Sequence, residues 1–87
     1  MDLRTFLAAS DRGVAASIAR AVGVSPVMVT QWAGGVKPIP VERVRSIEAA
    51  TGFEVRPWDM RADDWATHWP ELIGVDGAPA PITTQEA

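Results

Sequence analysis

The sequence predicts an all-α domain, and three observations carry that prediction. Apolar residues recur at helical spacing in successive stretches. A glycine, a proline or a capping residue stands at each break between them. Finally, the stretch from Ala15 to Trp32 is laid out as two short helices meeting at a tight turn. The domain is expected over residues 2–73, with a flexible tail over 74–87.

Taken in order, Asp2 caps a first helix from Leu3 to about Ser10, with Leu3, Phe6 and Leu7 on one face. Asp11-Arg12-Gly13 breaks it. A second helix covers Val14–Val22, where Ile18, Ala19 and Val22 form the apolar face, and Gly23 ends it in a left-handed conformation that glycine adopts without steric cost. Ser25 caps the third helix, Pro26–Ala33, and Pro26 suits its first position. Val24 before the cap can pack on Val29 one turn later as a hydrophobic staple. Val29 and Trp32 point inward, leaving Val27, Met28, Thr30 and Gln31 on the outer side. Ala19 is small because helices crossing near a right angle leave no room for a larger side chain there.

Gly34-Gly35 stops the third helix, and the prolines of Val36-Lys37-Pro38-Ile39-Pro40 keep the chain extended. A fourth helix runs from Val41 to about Thr51, with Val41, Val44 and Ile47 on a shared face, and Gly52 closes it. Phe53-Glu54-Val55-Arg56 reads as an extended segment or a single strand. Trp58–Arg61 reads as a turn or a short helix start, and Asp63–Trp69 is helical up to Pro70. Trp58 and Trp65 are expected to close the core, since large rings bury much area in a small domain. Trp69 and Leu72 are the candidates for a dimer contact. The alternation of proline with small residues after Gly74 suggests the flexible tail.

Eighty-seven residues with 47% hydrophobic content suit one modest domain. No apolar run reaches the roughly 18 residues that a membrane span needs, and the N-terminus lacks a signal-peptide pattern, so a cytoplasmic protein without membrane association is expected. There is no cysteine, hence no disulfide framework or thiolate metal site. The net charge of −3 conceals an asymmetry: residues 1–45 carry a balance of +3 and residues 46–87 one of −6. The positive half contains the helical pair, so the field can turn that half toward a polyanion.

Convergent catalytic groups are sparse. His68 follows Asp64 by one helical turn, which gives half a metal site at most, and a surface ion pair explains the spacing better. Asp59, Asp63 and Asp64 suit helix starts rather than paired catalytic acids. Ser10, Ser17 and Ser46 lack a nucleophile motif, and Gly34-Gly35 lacks the spacing of a phosphate loop. The expectation is therefore no enzyme, no catalytic residues, no metal and no cofactor.

The run G-V-S-P-V-M-V-T-Q-W-A-G-G, then P-I-P-V-E-R-V-R-S-I-E-A-A-T-G, V-R-P-W-D-M-R-A-D-D-W and W-P-E-L, resembles the Cro and YdaS-like class of phage and prophage regulators, from about Leu3 to Leu72. The resemblance implies a compact five-helix Cro/C1-type (lambda repressor-like) domain. It also implies binding of double-stranded operator DNA, commonly as a homodimer, and transcriptional repression. YdaS-like members are often labelled antitoxins. Carried onto this sequence, Val27, Met28, Thr30 and Gln31 would face base edges, with Gln31 able to pair bidentately with adenine and Val27 and Met28 making apolar contact. Ser25, Lys37, Gly35, Arg12 and Arg43 would meet phosphates. Relatives often carry glutamine where Ala15 stands and polar residues at the positions of Val27 and Met28. An outer face this apolar equally suits a protein partner, such as a toxin or another regulator. A structural helical domain within a larger assembly is the third reading.

Overall fold

The computed structural model describes residues 1–11 and 13–81. Six helices succeed one another among these residues: α1 (Leu3–Ala9), α2 (Val14–Val22), α3 (Pro26–Ala33), α4 (Val41–Ala50), α5 (Pro57–Met60) and α6 (Trp65–His68). A 3-10 turn, Pro70–Leu72, comes last. No strand forms among the described residues. The all-helical fold class is as expected, and the segments read separately as Trp58–Arg61 and Asp63–Trp69 form two single turns where the resemblance implied one fifth helix.

The first three helices begin and end where local chemistry dictates. Asp2 accepts from the Thr5 amide at 2.7 Å, which satisfies an orphan donor of α1 and holds the Asp2 carboxyl below its ordinary value. Gly23 takes φ 89, and both its own amide and that of Val24 donate to the Ala19 carbonyl, closing α2. Ser25 Oγ then accepts from the Met28 amide at 3.3 Å and starts α3. These two endings leave α2 and α3 bent by 108°.

The core fills the angle of that bend. Ile18, Ala19, Val29, Val44, Ile47 and Val55 are almost wholly removed from water, with Leu3, Val22, Trp32 and Ile39 around them. Val24, half-buried, packs on the same cluster as Val29, as a hydrophobic staple requires. α4 covers both α2 and the far side of the cluster. Its Arg43 Nη1 reaches back to donate to the Val22 carbonyl at 3.1 Å, capping the C-terminus of α2 from another element.

After α4 the chain departs from the extended segment expected at Phe53–Arg56. Gly52 and Phe53 take φ 64 and 66 in succession, and the Phe53 amide donates to the Glu48 carbonyl at 2.8 Å. Thr51 turns inward and its Oγ accepts from the Val55 amide at 3.2 Å. A capping turn thus uses the donors a strand would have needed. The left-handed conformation costs a non-glycine residue about 1–2 kcal/mol, and the Phe53 ring remains 59% exposed.

Charged groups attach α5 and α6. The Glu48 carboxylate, 1% exposed, accepts from Arg45 Nε at 2.8 Å and from Arg56 Nε at 2.6 Å. The Arg56 guanidinium lies 4.5 Å from the centre of the Trp58 ring, and Trp58 meets buried Trp65 edge-on at 5.4 Å. Farther on, Arg61 grips Asp64 with two bonds of 2.9 and 2.8 Å and also donates to the Ile39 carbonyl at 2.7 Å. The loop between α5 and α6 is thereby tied to the loop before α4.

Beyond the 3-10 turn, the amides of Val75 and Ala78 donate to the carbonyls of Leu72 and Val75, and Gly77 passes beside Trp58. Residues 82–87, the end of the expected tail, lie outside the described residues.

This packing has two measurable outcomes. Ala19→Leu places three more carbons at a site 1% exposed, and urea unfolding should show a loss of about 1–3 kcal/mol. A change within about 0.5 kcal/mol would mean that the corner has slack. Hydrogen bonds from Arg61, and next from His68 at 3.1 Å, lower Asp64 from 3.8 to about 2. Because the folded value is depressed, its stabilising contribution is complete above 3.8 and is lost as pH falls through about 2. Asp64→Asn should therefore lower stability at neutral pH and flatten acid unfolding in that window, as followed by circular dichroism.

Candidate nucleic-acid interface

The corner between α2 and α3 presents the outer side of α3 to solvent. Val27 is 64% exposed, Thr30 is exposed and Gln31 is half-buried. Met28 departs from the expectation: it is half-buried and packs on the core cluster, because the 108° bend turns its side of α3 toward the body of the domain. Val27, Thr30 and Gln31 are thus the side chains brought together on the free face, with Pro26 at its edge. Thr30 Oγ1 donates to the Val27 carbonyl at 2.8 Å, so its proton is engaged and the exposed hydroxyl keeps acceptor capacity.

The N-terminus of α3 is open. Ser25 is exposed, its hydroxyl holding the Met28 amide, and among the described residues the Val27 amide has no hydrogen-bond acceptor. Such an end favours an anion through its unpaired donor and its dipole. At the other end of the helix, Gly35 takes φ 77 and donates its amide to the Trp32 carbonyl at 3.2 Å, so it offers close approach but no free donor. The amides of Val36 and Lys37 both turn back to the Gln31 carbonyl, which leaves the Lys37 side chain exposed beside the loop.

Several expected roles change. Arg43 is half-buried and bonded to Val22, so at least one of its donors caps α2 instead of reaching toward a phosphate. Arg12 lies outside the described residues. Leu72 is 8% exposed and packed within its own chain, which leaves a second copy little to bury; Trp69 is half-buried against the core and retains an exposed part. His68 and Asp64 form the surface pair that their spacing suggested, at 3.1 Å. Among the described residues, no group of three or more possible ligands is arranged to hold a metal ion.

Three cations not assigned a role from the sequence are exposed in this half: Arg4 on α1, Arg20 on α2 and Arg45 on α4, of which Arg45 is bonded to Glu48. Arg4 lines an open groove of about 500 Å³ together with Lys37, Gly35 and Trp32, so it stands near the end of α3. The charge surplus of residues 1–45 was the signal that included all three. Among the described residues, no single helix is long and apolar enough to cross a membrane.

These features define a small all-helical helix-turn-helix domain whose second helix of the pair, α3, keeps its outer face exposed. The chain belongs to the YdaS family: the family described as "Bacterial toxin YdaS" matches residues 7–68, from within α1 through α6. It is similar to an Escherichia coli (strain K12) protein named "Putative transcriptional regulator YdaS", with 46% identity over 55 residues. The matched part is 62% of this chain and 56% of that protein, so the similarity spans little more than half of the relative's length. One name speaks of a toxin and the other of a regulator; the antitoxin label is in neither.

Proposed function

We propose that the chain is a sequence-specific DNA-binding regulator of transcription that lays α3 in the major groove. The observation that carries this reading is the open α2–α3 corner, with Val27, Thr30 and Gln31 on one free face and an unpaired amide at the start of that face. Ser25 and the α3 N-terminus take one phosphate, and Lys37 takes another beyond the loop. Gln31 reads an adenine through its donor and acceptor. The name of the Escherichia coli relative supports a regulatory role. Repression results if the bound site overlaps a promoter. A homodimer then places two copies of α3 about 34 Å apart on a palindromic operator, with Trp69 the remaining contact candidate. Such a regulator acts in the cytoplasm, where the DNA is.

A second reading has its own support. Val27 and Val36 are 64% and 71% exposed, an apolar surface at both ends of α3, and the family is described as a toxin. On this reading the same face holds a protein partner, such as a toxin, a toxin target or another regulator.

Selection of bound sequences from a random duplex library at about physiological salt separates the two. An enriched inverted repeat supports the dimeric DNA reader, an enriched single half-site supports a monomeric one, and no enrichment by the folded protein favours the protein partner. Gln31→Ala should cost about 1–3 kcal/mol of operator binding and relax preference at one position. Unchanged discrimination would remove Gln31 from base reading. Lys37→Ala should weaken binding to all sequences alike and reduce the slope of log K against log salt by about 1. A slope equal to that of the parent would exclude the phosphate contact.

A further inference from the structure

The reading face lacks charge altogether. From Ala21 to Val36 the sequence contains no Asp, Glu, Lys, Arg or His. Guanine shows the major groove two acceptors, N7 and O6, and the usual partner is the paired donors of Arg or Lys. None stands on α3. The hydroxyl proton of Thr30 is engaged by the Val27 carbonyl at 2.8 Å, so Thr30 offers acceptor lone pairs and a methyl group. The Gln31 amide, half-buried, is the remaining side-chain donor on this face. The most exposed side chain there is Val27, 64% accessible at the second position of α3, whereas Met28 is half-buried against the core cluster.

A face with one hydrogen-bonding amide, one acceptor and a projecting isopropyl group matches one base pair better than the others. Thymine presents a C5-methyl group beside its O4 acceptor, and its adenine partner presents a donor beside an acceptor. We propose that the ligand read at Val27 is a pyrimidine 5-methyl group, so that the operator carries at this position a thymine for which 5-methylcytosine, but not cytosine or uracil, can substitute in part. The proposal rests on the DNA-reading function proposed above and names the chemistry of its specificity. Its physical basis is the burial of two methyl surfaces against each other with no hydrogen bond to align. Val27 meets that requirement because most of its surface is open to solvent.

The test uses the full chain and the duplex recovered by selection. Each thymine in the half-site is replaced singly by deoxyuridine, which removes the methyl group and leaves every hydrogen-bonding group in place, and binding is monitored by fluorescence anisotropy. One position should lose about four-fold in affinity, the factor that corresponds to burying one methyl group. Val27→Ala, a change at an exposed site that leaves the core untouched, should bind the thymine and uracil duplexes at that position equally. A cytosine at the same position should weaken binding, and 5-methylcytosine should recover part of the loss for the parent protein but not for Val27→Ala. Two results overturn the proposal while sparing the DNA-reading function: no thymine sensitive to loss of its methyl group, or a sensitivity that Val27→Ala leaves unchanged. Failure of the folded protein to enrich any sequence overturns both.

Discussion

The close crossing of α2 and α3 is the constraint on which the rest of the structure depends. Ala19, 1% exposed, lets the two helices approach, and Gly23 at φ 89 turns the chain between them. A larger residue at the first site would force the helices apart, and a β-branched one at the second would be strained at this φ although it would meet no neighbour. With the corner closed, Val29 and Trp32 fall onto Ile18 and Val22, and α4 has a single cluster to cover. The outward face of α3 is the surface left over after that packing. Its composition is therefore free of core requirements at Val27 and Thr30, but not at Met28.

Hydrophobic contact builds the corner, whereas charge attaches the C-terminal turns to it. Glu48 is buried between Arg45 and Arg56, and Arg61 joins Asp64 to the Ile39 carbonyl. Neither α5 nor α6 exceeds one turn, too short to persist by helix propagation alone. Trp65 supplies the buried apolar area, and the guanidinium groups set the direction from which the chain arrives. A buried carboxylate that is well bonded adds little net stability over an apolar substitute, but it is costly to satisfy in any other arrangement.

How legible each part was in the sequence tracks how local its causes are. The first three helices could be bounded within a residue because Asp2, Gly23, Ser25, Pro26 and Gly34 act on their immediate neighbours. The capping turn at Gly52–Phe53 could not, since an aromatic residue at φ 66 runs against ordinary preference. The two turns after α4 were read as separate segments, but their anchoring depends on Arg61 holding Asp64 while donating to a carbonyl 22 residues earlier, which no periodicity reveals. On the outer face of α3, Val27, Thr30 and Gln31 were visible from spacing. The withdrawal of Met28 depends on the crossing angle, and the diversion of Arg43 depends on where α2 ends, so both were hidden.

Arg43 also gives the molecule a gradation of rigidity. Its bond to the Val22 carbonyl makes α4 part of the α2–α3 corner, so these three helices share core and cap and would open to solvent as one cooperative unit. The α5–α6 segment joins that unit through Val55, Trp65 and the two ionic clusters, a narrower attachment. Partial unfolding that releases the C-terminal turns, under acid or at high ionic strength, would thus leave the outer face of α3 intact, and amide exchange would run faster after Gly52 than before it.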